Sequence, residues 1–220
     1  MPLKKKLKRL RGWLIRKLFR TRIQGARGNT LILNDARLYG CRITFEGTGN
    51  TVEIGPGSIL HRSQITLIGR NNHFTLGAHA RIRAGGVFLA EDSGSRISIG
   101  THATLFSTMI ICSEGGRIEI GDDCMIAMDT CIRNSDGHAI FDTTTGARIN
   151  NAADISIGSH VWLGIRSLIL KGAGIGPDAI VGANSIVTRP VPAASLAVGG
   201  PARGLPQSIA WARGRTHPYH

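Results

Sequence analysis

Large rings are scarce in this sequence: 220 residues hold six Phe, three Trp and two Tyr. That excludes a wide core filled by aromatic side chains. The 29 glycines and an ordinary apolar content suit instead a narrow core of stacked Ile, Val, Leu and Ala. Paired cysteines are missing as well. Cys41, Cys112, Cys124 and Cys131 form no C-x-x-C motif, which excludes a paired-thiol metal knuckle. Their small or apolar neighbours suit buried, reduced thiols in a cytoplasmic protein. No apolar run approaches the roughly 20 residues that a membrane span needs. A secretory signal is not expected either, because Arg16, Lys17 and Arg20 interrupt its apolar region. The Gly-x-Ser-x-Gly elbow of a serine nucleophile is absent.

Acidic residues are absent from the first 27 positions, where eleven Lys and Arg fall. The remainder carries 16 basic and 14 acidic residues, so the net charge of +13 belongs mostly to an N-terminal arm. Leu3, Leu7, Leu10, Leu14 and Leu18 recur at steps of three or four, which predicts one apolar helix face over about 3–20. Trp13, Ile15 and Phe19 widen it. A basic amphipathic helix suits the headgroup region of an anionic membrane. Packing of the leucines on the body or on another subunit is the competing reading. Electrostatic binding of nucleic acid is disfavoured, because the body's sequence displays no second basic patch and no aromatic stacking platform.

What the chain has in abundance is one repeated phrase. Val52-Glu53-Ile54-Gly55 returns as Phe74-Thr75-Leu76-Gly77, Ile97-Ser98-Ile99-Gly100, Ile118-Glu119-Ile120-Gly121 and Ile155-Ser156-Ile157-Gly158. The glycines stand 22, 23, 21 and 37 residues apart, the mark of a solenoid. From Ile157 onward an aliphatic residue recurs every six, as in Leu163, Ile169, Ile175, Val181 and Val187. Six residues make one short strand and one corner, and three such units close a triangular coil. The expected organisation is a basic helix over 1–28, a parallel β-helix over 29–204 with an inserted loop at 134–153, and a tail over 205–220.

The long gap between Gly121 and Gly158 is one coil plus an insertion rich in Ser, Asp, Gly, Thr and Asn. Long loops on rigid repeats are favoured functional positions. His138 is the one histidine in it. His79, His102 and His160 each follow a repeat Gly by two, which predicts a shared outward structural position. Asp136 and Asp142 read as turn residues, with orientation of His138 as the alternative role.

The stretch from Asn134 to Gly164 resembles the sugar and polysaccharide O-acetyltransferases of the hexapeptide-repeat acyltransferase superfamily. Their pattern is a His in an extruded loop and, 24 residues later, the Trp of a His-Val-Trp-aliphatic-Gly phrase. Here His138 and Trp162 stand 24 apart, and His160-Val161-Trp162-Leu163-Gly164 is intact. The run Ile180–Arg189 and Gly199-Gly200-Pro201-Ala202-Arg203 resemble the family's acetyl-CoA segment. The resemblance covers about residues 95–205. It implies an all-β, left-handed parallel β-helix, and an acetyl-CoA-dependent O-acetyltransferase acting on a sugar hydroxyl of a capsule, exopolysaccharide or lipopolysaccharide or its precursor. It implies His138 as general base, with the hydroxyl attacking the thioester directly, and Trp162 lining the acceptor pocket or positioning the thioester. By position it assigns Gly164, Ile165, Ala183, Thr188, Arg189 and Arg203 to CoA. Family members commonly carry Lys where Arg189 stands and a small residue where Ile165 stands. It further implies a homotrimer with sites between subunits. With the reduced cysteines and the basic helix, the expectation is a cytoplasmic enzyme that has this helix at the inner face of the cell membrane, and no metal is expected.

Three other readings remain from the sequence. One is an acetyltransferase for a small acceptor such as serine, a drug or a nucleotide sugar. Another is a γ-carbonic-anhydrase-like metal protein, for which His79 and His102 stack on adjacent coils but the paired His within one coil is missing. The third is a non-catalytic β-helix scaffold.

Overall fold

The computed structural model describes residues 20–214. The amphipathic helix expected from residue 3 therefore lies, up to residue 19, outside the described residues.

The repeated phrase is a strand and its corner. Along Arg96–Ile99, Arg96 and Ser98 face water while Ile97 and Ile99 are buried. Val52 and Ile54, Phe74 and Leu76, Ile118 and Ile120, and Ile155 and Ile157 repeat that alternation one coil apart. Each fully buried aliphatic side chain contributes roughly 1.5–3 kcal/mol by leaving water. The glycine that follows is required by the next coil: a Cβ on Gly77 would lie 2.5 Å from the Thr101 nitrogen, and one on Gly121 2.6 Å from that of Ser159. Two residues later the backbone turns left-handed, with φ of 57° at His79, 57° at His102 and 54° at His160.

These units wind into a three-sided coil. Among the described residues, face I has eight strands, from Arg22–Gln24 to Ile186–Val187, face II has seven, from Thr30–Ile32 to Gly174–Ile175, and face III has nine, from Arg37–Tyr39 to Arg203–Ser208. The chain visits I, II and III in turn, and each strand pairs in parallel with the equivalent strand one coil on, as Ile97 does with Phe74 and Ile118. The last pairing is the exception: Arg203–Ser208 runs antiparallel to Ser195–Val198. The β-helix thus starts at Arg22, inside the segment assigned from sequence to the N-terminal helix, and its last strand passes residue 204.

The residues beyond six per side gather in one place. The corner between faces II and III is short throughout, as at Gly77–Ala80, Gly100–Ala103 and Gly158–Val161. Extra length falls on face I, where Arg42–Thr48 and Gln64–Arg70 are long strands, and on the I–II edge that follows. That edge is closed by a ladder of side-chain amides. Asn29 Oδ1 accepts from the Asn50 nitrogen (2.9 Å), Asn50 Oδ1 from that of Asn72 (2.9 Å), and Asn72 Oδ1 from that of Ser95 (2.8 Å). The loop at 134–154 is the largest departure on this same edge.

All four cysteines are free; three are buried and Cys131 is half-buried. Burial pushes the Cys112 and Cys124 thiols up to about 11, which leaves them inert. The sequence suggested a body with no second basic patch. In the structure Arg42 and Arg62 of the body join Arg20 and Arg22 of the arm around a cavity of about 170 Å³ at the N-terminal end of the III–I edge, so the basic arm continues onto the first coils. Arg42 and Arg62 stand about a coil apart in sequence, so each appeared isolated.

Candidate active site

The loop leaves face I after Cys131–Arg133 and rejoins face II at Ile155–Ile157, so it projects from the I–II edge. Its base is fixed by buried Asn134, whose Oδ1 accepts from the Ser113 nitrogen (2.8 Å) while its Nδ2 donates to Ser113 O (3.0 Å). Beyond Ile140 it becomes a small hairpin, with Phe141 bridged antiparallel to Arg148. Asp142 caps the tip: its Oδ1 accepts the Thr144 and Thr145 nitrogens at 2.8 and 2.7 Å. Those backbone bonds hold its carboxyl below the usual range. Asp142 is thus a turn residue.

Two ion pairs tie the loop to the coils on either side. Arg148 grips Glu114 with both terminal nitrogens at 2.7 and 2.8 Å, and the Ser135 hydroxyl donates to the same carboxylate (2.7 Å). Arg148, then Ser135, lowers the Glu114 carboxyl to about 2. Lys171 donates to Asp136 at 2.6 Å and holds that carboxyl low, with Asn150 assisting. Both pairs are open enough to water that solvent screening leaves them little weight in stability. Their geometry nevertheless fixes where the loop sits.

Asn150, nearly buried, joins the loop's two limbs. Its Oδ1 accepts from the Ile140 nitrogen (2.7 Å), and its Nδ2 donates to Asp136 (2.8 Å) and to the His138 carbonyl (2.8 Å). The His138 backbone is therefore held. Its side chain is exposed, and among the described residues no hydrogen bond or ion pair involves the imidazole. Asp136 is engaged by Lys171 and Asn150. Sequence spacing gave no hint of Asn150, because the three partners on the other limb, Asp136, His138 and Ile140, lie ten or more residues away.

Trp162 stands on face III, 36% exposed, between Met125 and Ile180 of the neighbouring coils. It is not a core residue. Gly164, Ile165 and Ala183 lie just beyond, stacked at the III–I edge, where a Cβ on Gly164 would meet the Ala183 nitrogen at 2.6 Å. Ile165 is exposed beside them. Thr188 and Arg189 lie at the I–II edge above the loop, and Arg203 opens the last strand. One chain thus places His138, Thr188 and Arg189 on one border of face I, and Trp162, Gly164, Ile165 and Ala183 toward the other.

The three structural histidines lie on the II–III edge. His79 and His102 stack with centroids 5.1 Å apart, and His160 Nδ1 is 2.9 Å from Asp178. Among the described residues no three His, Cys, Asp or Glu side chains group to hold a metal ion.

A three-sided parallel solenoid of six-residue units with an extruded loop defines the hexapeptide-repeat class of proteins. No family model matches the sequence. The chain is 35% identical over 147 residues to the polysialic acid O-acetyltransferase of Neisseria meningitidis, covering 58% of this chain and 68% of that protein. It is 38% identical over 125 residues to the polysialic acid O-acetyltransferase of Escherichia coli O1:K1, covering 57% of this chain and 41% of that protein. Among solved structures, the polysialic acid O-acetyltransferase OatWY matches with a TM-score of 0.85 at 31% identity, over 90% of this chain and 93% of that one. The polysialic-acid-specific acetyltransferase NeuO matches with a TM-score of 0.79 at 30% identity, over 91% and 92%. The chain belongs to the hexapeptide-repeat O-acetyltransferase family, and its coil is the family's left-handed parallel β-helix. It is an enzyme, an acyltransferase.

Proposed function

We propose that the enzyme transfers an acetyl group from acetyl-CoA to a hydroxyl of a surface glycan, with His138 as general base and Trp162 lining the acceptor pocket. A sugar hydroxyl is a weak nucleophile at neutral pH, and an imidazole can take its proton as attack begins. The hydroxyl oxygen adds to the thioester carbonyl. The tetrahedral intermediate then expels CoA as a thiolate, which recovers the proton from His138. Products are an acetyl ester and free CoA. The observation that carries this reading is a histidine whose backbone is clamped while its imidazole is left unengaged. The named substrate of the relatives supports a carbohydrate acceptor, polysialic acid first among candidates.

The working unit we propose is a homotrimer with face I toward the axis. Face I presents Val87, Met109 and Ile186 outward, flanked by half-buried Leu89, Ile111 and Leu168. Face II presents Glu53, Arg96, Arg117 and Glu119. Covering the apolar face removes surface that a lone chain exposes. It also sets His138 of one subunit beside Trp162, Gly164, Ile165 and Ala183 of the next, where the pantetheine would lie along backbone groups. Arg189 and Arg203 would meet the CoA phosphates through guanidinium donors.

A panel following CoA release with polysialic acid, a neutral polysaccharide, a simple galactoside and serine tests the acceptor. Acetylation of a glycan well above the small acceptors is expected. Preference for serine would replace this reading with the small-acceptor one, and no turnover together with no acetyl-CoA binding would restore the scaffold.

We further propose that the enzyme works on the cytoplasmic side, with the basic arm on the inner membrane face. Among the described residues no helix is long and apolar enough to cross a membrane. The arginine quartet adjoins the point where the arm ends. Each basic residue near an anionic surface is worth about 1 kcal/mol at low salt. Deleting residues 1–19, which removes eight of them, is expected to weaken cosedimentation with phosphatidylglycerol vesicles by at least about 100-fold. Undiminished binding of the truncated protein would remove the arm from this role.

A further inference from the structure

The chain beyond the last strand folds back onto the β-helix. The Ile209 nitrogen donates to Ala194 O (3.2 Å), and from there the segment runs along the II–III edge toward the N-terminal coils. Trp211 lies flat on His160, with centroids 4.1 Å apart and planes 6° apart, and its Nε1 donates to the His160 carbonyl at 2.8 Å. Farther on, Arg213 is bonded to five acceptors. They are the Asp123 carboxylate (3.0 Å), Thr104 Oγ1 (3.1 Å) and the carbonyls of His102, Asp123 and Cys124 (3.3, 3.0 and 3.2 Å). This strap crosses coil after coil on the column of left-handed corner residues that includes His102, Asp123, His160 and Asp178.

The strap's ring is next to the pocket aromatic. Trp211 is 8% exposed, and its centroid is 6.1 Å from that of Trp162, with the planes at 47°. Along the coil axis Trp162 has Met125 and Ile180 as strand neighbours, neither of which is a flat wall. Trp211 supplies a ring that packs against it at a tilt, and the peptide it hydrogen-bonds belongs to the His160-Val161-Trp162 phrase itself.

We infer that Trp211 is a positioning residue for the acetyl acceptor. It fixes the plane of the Trp162 indole, and Arg213 pins the strap that carries it. The inference rests on the proposed role of Trp162 in the acceptor pocket. A pyranose binds an aromatic ring through its apolar face, so the ring's plane sets the angle at which the hydroxyl is offered. An indole on an open sheet turns about two torsions, and a tilted ring packed beside it and itself held flat on His160 removes that freedom. The predicted thioester groove at the III–I edge receives none of the strap's contacts, so the effect falls on the acceptor and spares the donor.

The test is steady-state kinetics of the full chain with polysialic acid and acetyl-CoA, or with the panel's best neutral polysaccharide if polysialic acid is not turned over. Trp211→Ala is expected to raise the acceptor KM about tenfold, within what small misplacements cost an enzyme. Trp211→Phe should restore most of that, Arg213→Ala should shift it the same way by less, and the acetyl-CoA KM should stay at wild type. A Trp211→Ala protein that is folded and assembled like wild type, by circular dichroism and light scattering, yet keeps the wild-type acceptor KM overturns the inference. So does equal loss toward both substrates, the signature of a merely structural role. If Trp211→Ala does not fold, a wild-type acceptor KM in Arg213→Ala overturns it. Trp162→Ala is run alongside. An unchanged acceptor KM there removes Trp162 from the pocket, and the inference falls with that reading rather than by itself.

Discussion

His138→Ala is expected to lower acetyl transfer by about 10²–10⁴-fold, the usual worth of a positioned general base. Acetyl-CoA binding and fold should persist. The imidazole is exposed and makes no bond that the loop depends on. The loop is held by Asn134, Asn150, and the Arg148–Glu114 and Lys171–Asp136 pairs, none of which uses the His138 ring. Truncating an exposed side chain of this kind usually moves stability by less than about 0.5 kcal/mol. The check is CoA release for turnover, calorimetry for acetyl-CoA, and thermal melting for the fold. Turnover within a few-fold of wild type would take the base role from His138. Loss of acetyl-CoA binding together with turnover would place it at the donor.

Asn72→Ala is expected to carry the largest stability cost on the I–II edge. Asn72 is fully buried. Its Oδ1 accepts the Ser95 nitrogen at 2.8 Å, and its Nδ2 donates to Ile68 O at 2.7 Å and Asp92 O at 3.3 Å. Alanine keeps the bond from its own backbone nitrogen to Asn50 and removes these three. The Asp92 carbonyl keeps the Arg70 nitrogen as donor (3.1 Å), while the Ser95 nitrogen and the Ile68 carbonyl lose the Asn72 amide. Each buried polar group left without a partner costs about 1–3 kcal/mol, so a total of about 2–5 kcal/mol is expected. Denaturant unfolding against Ser98→Ala, an outward position on face II, supplies the comparison. A shift no larger than that of Ser98→Ala would show that water enters and substitutes for the ladder.

Architecture was readable in the sequence because two local requirements repeat at every coil. Ile97 and Ile99 must point inward, and Gly100 must let the next coil approach, so hydrophobicity and glycine keep one period. The loop was readable as a break in that period. The residues that hold it were less so: Asn150 looks like any polar loop residue until the limbs it joins are folded together. The arginine quartet was hidden because coil winding, not chain adjacency, brings Arg42 and Arg62 to Arg20 and Arg22 of the arm. The strap was hidden for the same reason. Trp211 and Arg213 bond to residues 51 to 111 positions earlier, and no local pattern records such a distance.

The antiparallel strand Arg203–Ser208 bears on polymerisation. A solenoid of parallel strands is a self-similar object, and two of them can in principle stack end to end into a fibre. Here the final coil is roofed: Ile186 bonds Gly199, Ala202 bonds Ile186, and the returning strand reverses the hydrogen-bonding polarity of face III. An incoming coil meets a mismatched edge at this end. Growth of a filament needs two compatible ends, so one reversed strand makes the molecule self-limiting in length.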